Sequence, residues 1–283
     1  MAVEPPVVSP TTLSDALALR AEGGWHPIAG GTDLMVQLEA DMAEPPQRVL
    51  DLSRLDDLRG VSYDGYEVSI GALTTYTELR FSPVISARLH ALSEVAATVG
   101  AAQIQNRGTI GGNICNASPA GDTLPVLLAV DAVFECASSE GIREVPAREF
   151  WTGYRQTALR DDELLARIRF AVDRSRRTRF RKVGTRAAQA ISKVVLALSY
   201  RNDEGTWRDV RVALGSVAPT TIRAAGTEAV LEGTRPSRSR ADEAARVLAE
   251  EISPIDDVRS TADYRRSVSG RVLHRLLHEE GGW

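Results

Sequence analysis

The chain has 283 residues and a net charge of −4; 43% of its residues are hydrophobic and 25% charged. That length supplies cores for two or three subdomains, and the mild acidity speaks against nucleic acid or an anionic membrane surface as partner. No run approaches the ~18 apolar residues of a membrane span. The first ten residues carry Glu4 and three prolines rather than an apolar signal segment, so the expected location is the cytoplasm with no membrane insertion.

In chain order, residues 12–22 predict an amphipathic helix, with Leu13, Leu17 and Leu19 on its apolar side and Thr12 or Ser14 near its start. Trp25-His26-Pro27-Ile28-Ala29-Gly30-Gly31-Thr32-Asp33-Leu34-Met35 reads as a short strand, a glycine pair, and Thr32 or Asp33 heading a helix over 34–40. A strand at 48–52 closes a small α/β unit by about residue 56. Segments 61–63 and 66–70 flank Asp64-Gly65, a hairpin turn signal. Thr74-Thr75 then caps a short helix, and a longer helix is expected over 84–99.

The densest stretch follows: Arg107-Gly108-Thr109-Ile110-Gly111-Gly112-Asn113-Ile114-Cys115-Asn116-Ala117-Ser118-Pro119-Ala120-Gly121-Asp122. Adjacent Gly111 and Gly112 permit backbone angles closed to other residues, and such a turn can aim several N–H groups inward as an anion-holding nest. Ser118-Pro119 reads as an N-cap with proline at the first helical position, ahead of a buried helix at 124–130. Two Gly-Gly turns at helix starts suggest one extended diphosphate gripped from two sides. Neither fits G-x-G-x-x-G or G-x-x-x-x-G-K-[ST]; the alternative is a pair of plain glycine turns.

Beyond that stretch, segments 132–136 and 142–145 predict a hairpin, and 150–151 with 163–170 complete a mainly antiparallel middle unit ending near 175. Residues 173–178, rich in arginine, read as a solvated linker. Strands at 179–183, 191–201 and 207–216, then helices at 227–231, 239–251 and 262–278, predict a C-terminal α+β unit. The division expected is 1–56, 57–175 and 176–283. The two cysteines, Cys115 and Cys136, cannot complete an ordinary iron–sulfur cluster, which takes four. His274 and His278 are spaced i, i+4, yet no third metal ligand is visible, so no metal site is expected.

Ala29-Gly30-Gly31-Thr32-Asp33-Leu34 and Thr109-Ile110-Gly111-Gly112-Asn113 together resemble the two FAD-diphosphate loops of the FAD-binding, or medium, subunit of the xanthine dehydrogenase and carbon monoxide dehydrogenase family of molybdenum hydroxylases. The resemblance covers essentially the whole chain and extends to Gly215-Ser216-Val217-Ala218-Pro219-Thr220 and to Asp257 through Arg266. It implies that family's α+β FAD-binding fold: a small α/β N-terminal unit, a mainly antiparallel middle domain, and a C-terminal three-stranded sheet with helices. It implies FAD as cofactor, with contacts from Ile28, Ala29, Gly30, Gly31, Thr32, Asp33, Leu34, Val99, Thr109, Ile110, Gly111, Gly112, Asn113, Asp122, Leu164 and Lys182.

Backbone amides of both glycine loops are expected to meet the diphosphate, with the Thr32 and Thr109 hydroxyls as further donors. Asp33 is assigned to capping its helix or to a ribose or ribityl hydroxyl. The resemblance makes Asn113 and Asp122 polar contacts along the flavin, the alternative for Asp122 being a helix cap. It makes Leu164 a contact near the ring and Lys182 a cation near it, the alternative being a surface lysine. Val99 is an apolar contact or plain core. Asn116 through Asp122 and residues 186–194 resemble xanthine-dehydrogenase-type subunits more than carbon monoxide dehydrogenases.

The implied function is electron transfer, from 2Fe-2S clusters of a small partner subunit, through FAD, to an external acceptor such as NAD or a quinone. A large molybdopterin subunit would complete a heterotrimer, itself paired into a dimer. The competing expectation is a stand-alone flavin-dependent oxidoreductase of the same fold. No catalytic side chain is expected on this chain.

Overall fold

A computed structural model describes residues 5–186 and 189–283. The first four residues of the N-terminal stretch, and Ala187 and Ala188 of the 186–194 motif, lie outside the described residues.

The N-terminal unit is a three-stranded parallel sheet in the order β1-β3-β2, from β1 (Val7–Val8), β2 (His26–Ile28) and β3 (Val49–Asp51). Helix α1 (Leu13–Glu22) starts at Thr12, whose hydroxyl accepts from Asp15 N. Its Ala16 and Leu17 join Trp25, Leu50, Leu55 and Leu58 in a first core. Helix α2 (Leu34–Glu39) buries no side chain at all.

The middle unit is an antiparallel sheet in the order β4-β5-β10-β6-β7, from β4 (Val61–Tyr63), β5 (Glu67–Gly71), β6 (Val133–Ser138), β7 (Gly141–Pro146) and β10 (Leu164–Ala171). The first hairpin turns where expected, because the Asp64 carboxylate accepts from Tyr66 N and Glu67 N. Thr75 opens α3 (Tyr76–Phe81) with a full capping box to Glu78. The single helix expected over 84–99 is instead two, α4 (Pro83–Arg88) and α5 (His90–Ala96). Leu89 leaves helical geometry between them (φ −149°, ψ 68°), and the bend lets Ile85, Leu89 and Leu92 all enter one core. A short α6 (Ala102–Arg107) follows.

Residues 110–116, expected as a glycine turn, form a helix, α7 (Ile110–Asn116), capped by the Thr109 hydroxyl, which accepts from Gly112 N at 3.1 Å. Ser118-Pro119 does not start the next helix. Ser118 closes a local turn, and α8 (Leu124–Ala129) begins after Thr123 with Pro125 in its first turn. Helix α9 (Ala147–Phe150) leads into the hairpin of β8 (Trp151–Gly153) and β9 (Gln156–Thr157).

The C-terminal sheet is antiparallel in the order β11-β12-β13-β14, from β11 (Arg176–Val183), β12 (Val194–Asp203), β13 (Thr206–Gly215) and β14 (Ile222–Arg223). The linker expected at 173–178 is overturned for its second half. β11 already begins at Arg176, whose side chain is drawn in by an ion pair with Asp209. Three helices, α10 (Ala225–Leu231), α11 (Arg238–Glu251) and α12 (Ala262–Gly281), cover one face.

Strand β12 alternates with period two. Val194, Leu196, Leu198 and Tyr200 face the helices, while Val195 and Ala197 enter the core of the middle unit beside Phe180 and Ala213. The C-terminal sheet is therefore buried on both sides, and it brings β11 against the 98–122 region.

Candidate functional site

The two glycine motifs, some 75 residues apart, touch. A Cβ on Gly30 would fall 2.0 Å from the carbonyl oxygen of Arg107 and 3.0 Å from Gly108 Cα. A Cβ on Gly108 would fall 3.2 Å from Thr32 Oγ1 and 2.9 Å from Tyr76 Cε2. Backbone packs on backbone here, and only glycine permits it. Gly31 also adopts φ +69°, the left-handed region that an L side chain resists.

The motifs differ in what they leave open. The amides of Gly30, Gly31, Thr32, Asp33 and Leu34 donate no hydrogen bond among the described residues. The amides of the second motif beyond Thr109 are engaged: Ile110 N bonds Thr74 O at 3.0 Å, Gly111 N bonds Ala72 O at 2.8 Å, and Asn113 N bonds Thr109 O at 3.1 Å, while Thr109 N donates no hydrogen bond among the described residues. With Gly112 N held by Thr109, all four leading donors of α7 are satisfied within the fold. The second motif thus serves as the floor on which the first is laid. Gly111 explains its own identity, since a Cβ there would meet Ala72 O at 2.6 Å; Gly112 is exposed and its Cβ would meet only Thr109 Oγ1, at 3.0 Å.

The other expected residues fall in distinct places. Ile28 ends β2, and its carbonyl accepts from Leu52 N; Ala29 packs on the first core. Asp33 stands at the head of α2 but makes no capping bond. Its carboxylate is held by Gln37 and lies 3.4 Å from Arg155 Nη1. Leu34 is half-buried. Ile110 is fully buried, and Leu164 is buried in the first core. Val99 packs at the edge of the middle core. Asn113 Oδ1 accepts from the Thr123 hydroxyl at 2.5 Å.

Asp122 and Lys182 meet each other. Lys182 Nζ donates to Asp122 Oδ2 at 2.6 Å and to the carbonyl of Thr98 at 3.2 Å, and the Ser192 hydroxyl donates to the other Asp122 oxygen. Both side chains are nearly buried, at 12% and 10% exposure. Burial pushes the Asp122 carboxyl up; Lys182 and Ser192 pull it down, and burial outweighs them. Lys182 is therefore no isolated cation. It neutralises Asp122 and ties β11 to the segment just before Val99.

Sequence reading missed Arg155 and Tyr76. Arg155, in the left-handed region at φ +52°, donates to Asn116 Oδ1 at 2.6 Å while reaching Asp33, so it clasps the head of α2 to the end of α7. Tyr76 lies behind the junction of the two motifs. Its N–H bonds Gly108 O at 3.2 Å, and burial together with the carboxylates of Asp122 and Asp33 holds its phenol well above the usual range. No local pattern announces either residue; both act through tertiary placement.

Cys115, on α7, and Cys136, on β6, are free thiols. Burial pushes Cys115 up to about 12 and Cys136 up to about 11. A thiol-specific disulfide reagent at about pH 8 should therefore find no reactive thiolate in the folded chain, and two on unfolding; rapid reaction of the half-buried Cys115 in the native protein would contradict its raised pKa. His274 and His278 flank the Trp283 ring edge-on rather than converging on a metal position, and His274 Nε2 lies 3.2 Å from Asp242. Among the described residues no group of three or more His, Cys, Asp and Glu is placed to hold a metal ion, and no helix is long and apolar enough to cross a membrane.

A row of five unused amides, a left-handed glycine and a rigid backbone floor fit an anionic group of extended shape. Comparison with known proteins identifies the family and its cofactor. Residues 2–171 match the family model of the FAD binding domain in molybdopterin dehydrogenase, and residues 179–280 match the CO dehydrogenase flavoprotein C-terminal domain. The chain is 31% identical over 281 residues to the carbon monoxide dehydrogenase medium chain of Hydrogenophaga pseudoflava, covering 95% of this chain and 94% of that one. It is 30% identical to a putative xanthine dehydrogenase FAD-binding subunit of Escherichia coli, covering 96% and 95%. A solved structure of the Hydrogenophaga pseudoflava carbon monoxide dehydrogenase, in a form lacking the Mo-pyranopterin moiety, superposes with a TM-score of 0.93 at 31% identity, over 97% of this chain and 96% of that one. The chain belongs to the FAD-binding, medium-subunit family of the molybdenum hydroxylases, as a flavoprotein oxidoreductase subunit whose cofactor is FAD.

Proposed function

We propose that this chain is the electron-exit subunit of a three-subunit molybdenum hydroxylase, taking electrons from 2Fe-2S clusters on a small partner and delivering them to an external acceptor. A large molybdopterin subunit would perform the hydroxylation, and two such heterotrimers would pair. When bound, FAD supplies the redox chemistry that couples a one-electron donor to a two-electron acceptor. The observation that carries the reading is the run of free amides at residues 30–34 laid on the Arg107–Gly108 backbone.

In this reading those amides and the Thr32 hydroxyl bind the diphosphate, and the second motif fixes their position. The Asp122–Lys182 pair, Val99 and Asn113 border the rest of the flavin; Ile28, Ala29, Asp33, Leu34, Thr109, Ile110, Gly111, Gly112 and Leu164 shape the loops and their support. The three-part division of the chain at about residues 56 and 175 is part of the same proposal. So is a cytoplasmic location, in keeping with two cysteines held as free thiols.

Support for a partner comes from two directions. Similar proteins are named medium chains, a name that belongs to a larger assembly. Beside the first loop, α2 and the residues after it expose Met35, Val36 and Met42 at 59%, 62% and 73%, apolar area that a neighbouring subunit would cover.

The test is co-purification from the native host with flavin, iron and molybdenum analysis, followed by anaerobic stopped-flow. Purine and N-heterocyclic substrates are mixed with the isolated flavin-loaded chain and with the complex. Flavin bleaching only in the complex is the expected result. Bleaching of the isolated chain at the complex's rate would establish the stand-alone flavoenzyme instead.

A further inference from the structure

Tyr76 combines two features that a core tyrosine does not ordinarily show. Its residue is only 3% exposed, and its hydroxyl, which has no hydrogen-bond partner among the described residues, is the part left accessible rather than sealed in the core. The hydroxyl of the buried Tyr200 is taken up by Glu280 and that of the half-buried Tyr63 by the Gly65 carbonyl, whereas that of Tyr76 is left open to solvent or a ligand.

The position of Tyr76 is fixed from several sides. The capping box at Thr75 and Glu78 starts its helix, Thr75 bridges Thr109, and its N–H is tied to Gly108 O. Its ring edge presses on Gly108, which itself touches Gly30 and Thr32. The phenol therefore stands where the two glycine motifs meet. Both carboxylates that act on it, Asp33 and Asp122, disfavour the phenolate, so the hydroxyl stays protonated and is available as a donor.

We infer that the Tyr76 hydroxyl is a side-chain donor to the diphosphate of bound FAD, added to the backbone amides of the first loop. The inference rests on the proposed placement of FAD at this junction. A neutral donor suits the place: a hydroxyl meets phosphate oxygen without adding a buried charge.

The experiment uses the full chain stripped of flavin, wild type and Tyr76→Phe, titrated with FAD by flavin fluorescence and competed with ADP and with riboflavin. The two competitors carry the diphosphate and the ring system separately. Loss of one hydrogen bond to a charged group should raise the FAD Kd about tenfold. ADP should weaken by a similar factor and riboflavin not at all. Tyr76→His, which keeps a ring N–H donor, should recover part of the loss. If Tyr76→Phe changes only the melting temperature and leaves FAD and ADP affinity within twofold of wild type, the hydroxyl has a structural role and the inference falls. Equal weakening of riboflavin and FAD would overturn the assignment to the diphosphate. Failure of the wild-type chain itself to bind FAD would instead remove the reading of the site on which the inference rests.

Discussion

Gly30→Ala should abolish flavin retention. The new Cβ would lie 2.0 Å from Arg107 O and 2.6 Å from the carbonyl carbon, both backbone atoms that no rotamer change can move. The first loop must lift away from the second, and overpacking of this kind costs about 1–3 kcal/mol of stability. Its larger effect is on binding. Displacing two amide donors from a phosphate forfeits roughly 3 kcal/mol or more, about a hundredfold or more in Kd. Gly65→Ala is the control. That glycine has φ +105° at an exposed turn with no atom within 4 Å of a Cβ, so the variant carries backbone strain without touching the loops. The measurement is FAD Kd beside melting temperature for both variants. A folded Gly30→Ala chain that keeps wild-type FAD affinity would show that the junction does not shape the site.

The second large effect belongs to the Asp122–Lys182 pair. Lys182→Met leaves a buried carboxylate with Ser192 as its remaining side-chain partner. Breaking a buried pair on one side typically costs about 3–5 kcal/mol. Asp122→Asn together with Lys182→Met should recover much of that, because no uncompensated charge remains. The sign with pH follows from burial, which raises the folded-state pKa of Asp122 above its ordinary 3.8. A raised carboxyl binds its proton more tightly folded than unfolded, so its contribution is fully present below the unfolded pKa and is lost as pH rises through the folded one. Without Lys182 that shift grows, and Lys182→Met should be less destabilised at about pH 5 than at about pH 7.5. Denaturant melts at the two pH values decide it; a penalty that is flat or larger in acid would mean that the carboxylate is stabilised by something other than Lys182.

The order of elements was legible because it depends on local signals. Thr12 and Thr75 each start a helix with side-chain bonds to the first turn, and Asp64-Gly65 turns its hairpin. The family resemblance was legible in the paired glycine motifs. What Gly111 and Gly112 do was not. Two adjacent glycines suggest a turn because glycine is a weak helix former. Here α7 is held by Thr109 and by Trp151 Nε1, which donates to Ile114 O at 3.1 Å from 37 residues away. Tertiary anchoring overrides propensity, and Gly111 is required for its lack of volume against Ala72 rather than for unusual angles. Leu89 broke a continuous apolar pattern for the same reason: the helix bends to follow a core whose shape is set by distant residues. Arg176, the start of a strand within an arginine-rich run, was misread as solvated because its partner Asp209 lies 33 residues further on.

Helix α2 carries the most exposed part of the site and buries none of its six side chains. Only the half-buried Leu34 and Leu38 resist its opening, so its amides should exchange with solvent far sooner than those of the β12 core. A ligand bound at the head of such a helix does two things at once: it occupies a site and it completes a local folding step. With FAD placed there as proposed, its affinity would already contain the entropy of ordering α2. A partner resting on Met35 and Val36 would meet that entropic cost in advance, which couples subunit assembly to cofactor retention with no change in any direct contact to the flavin.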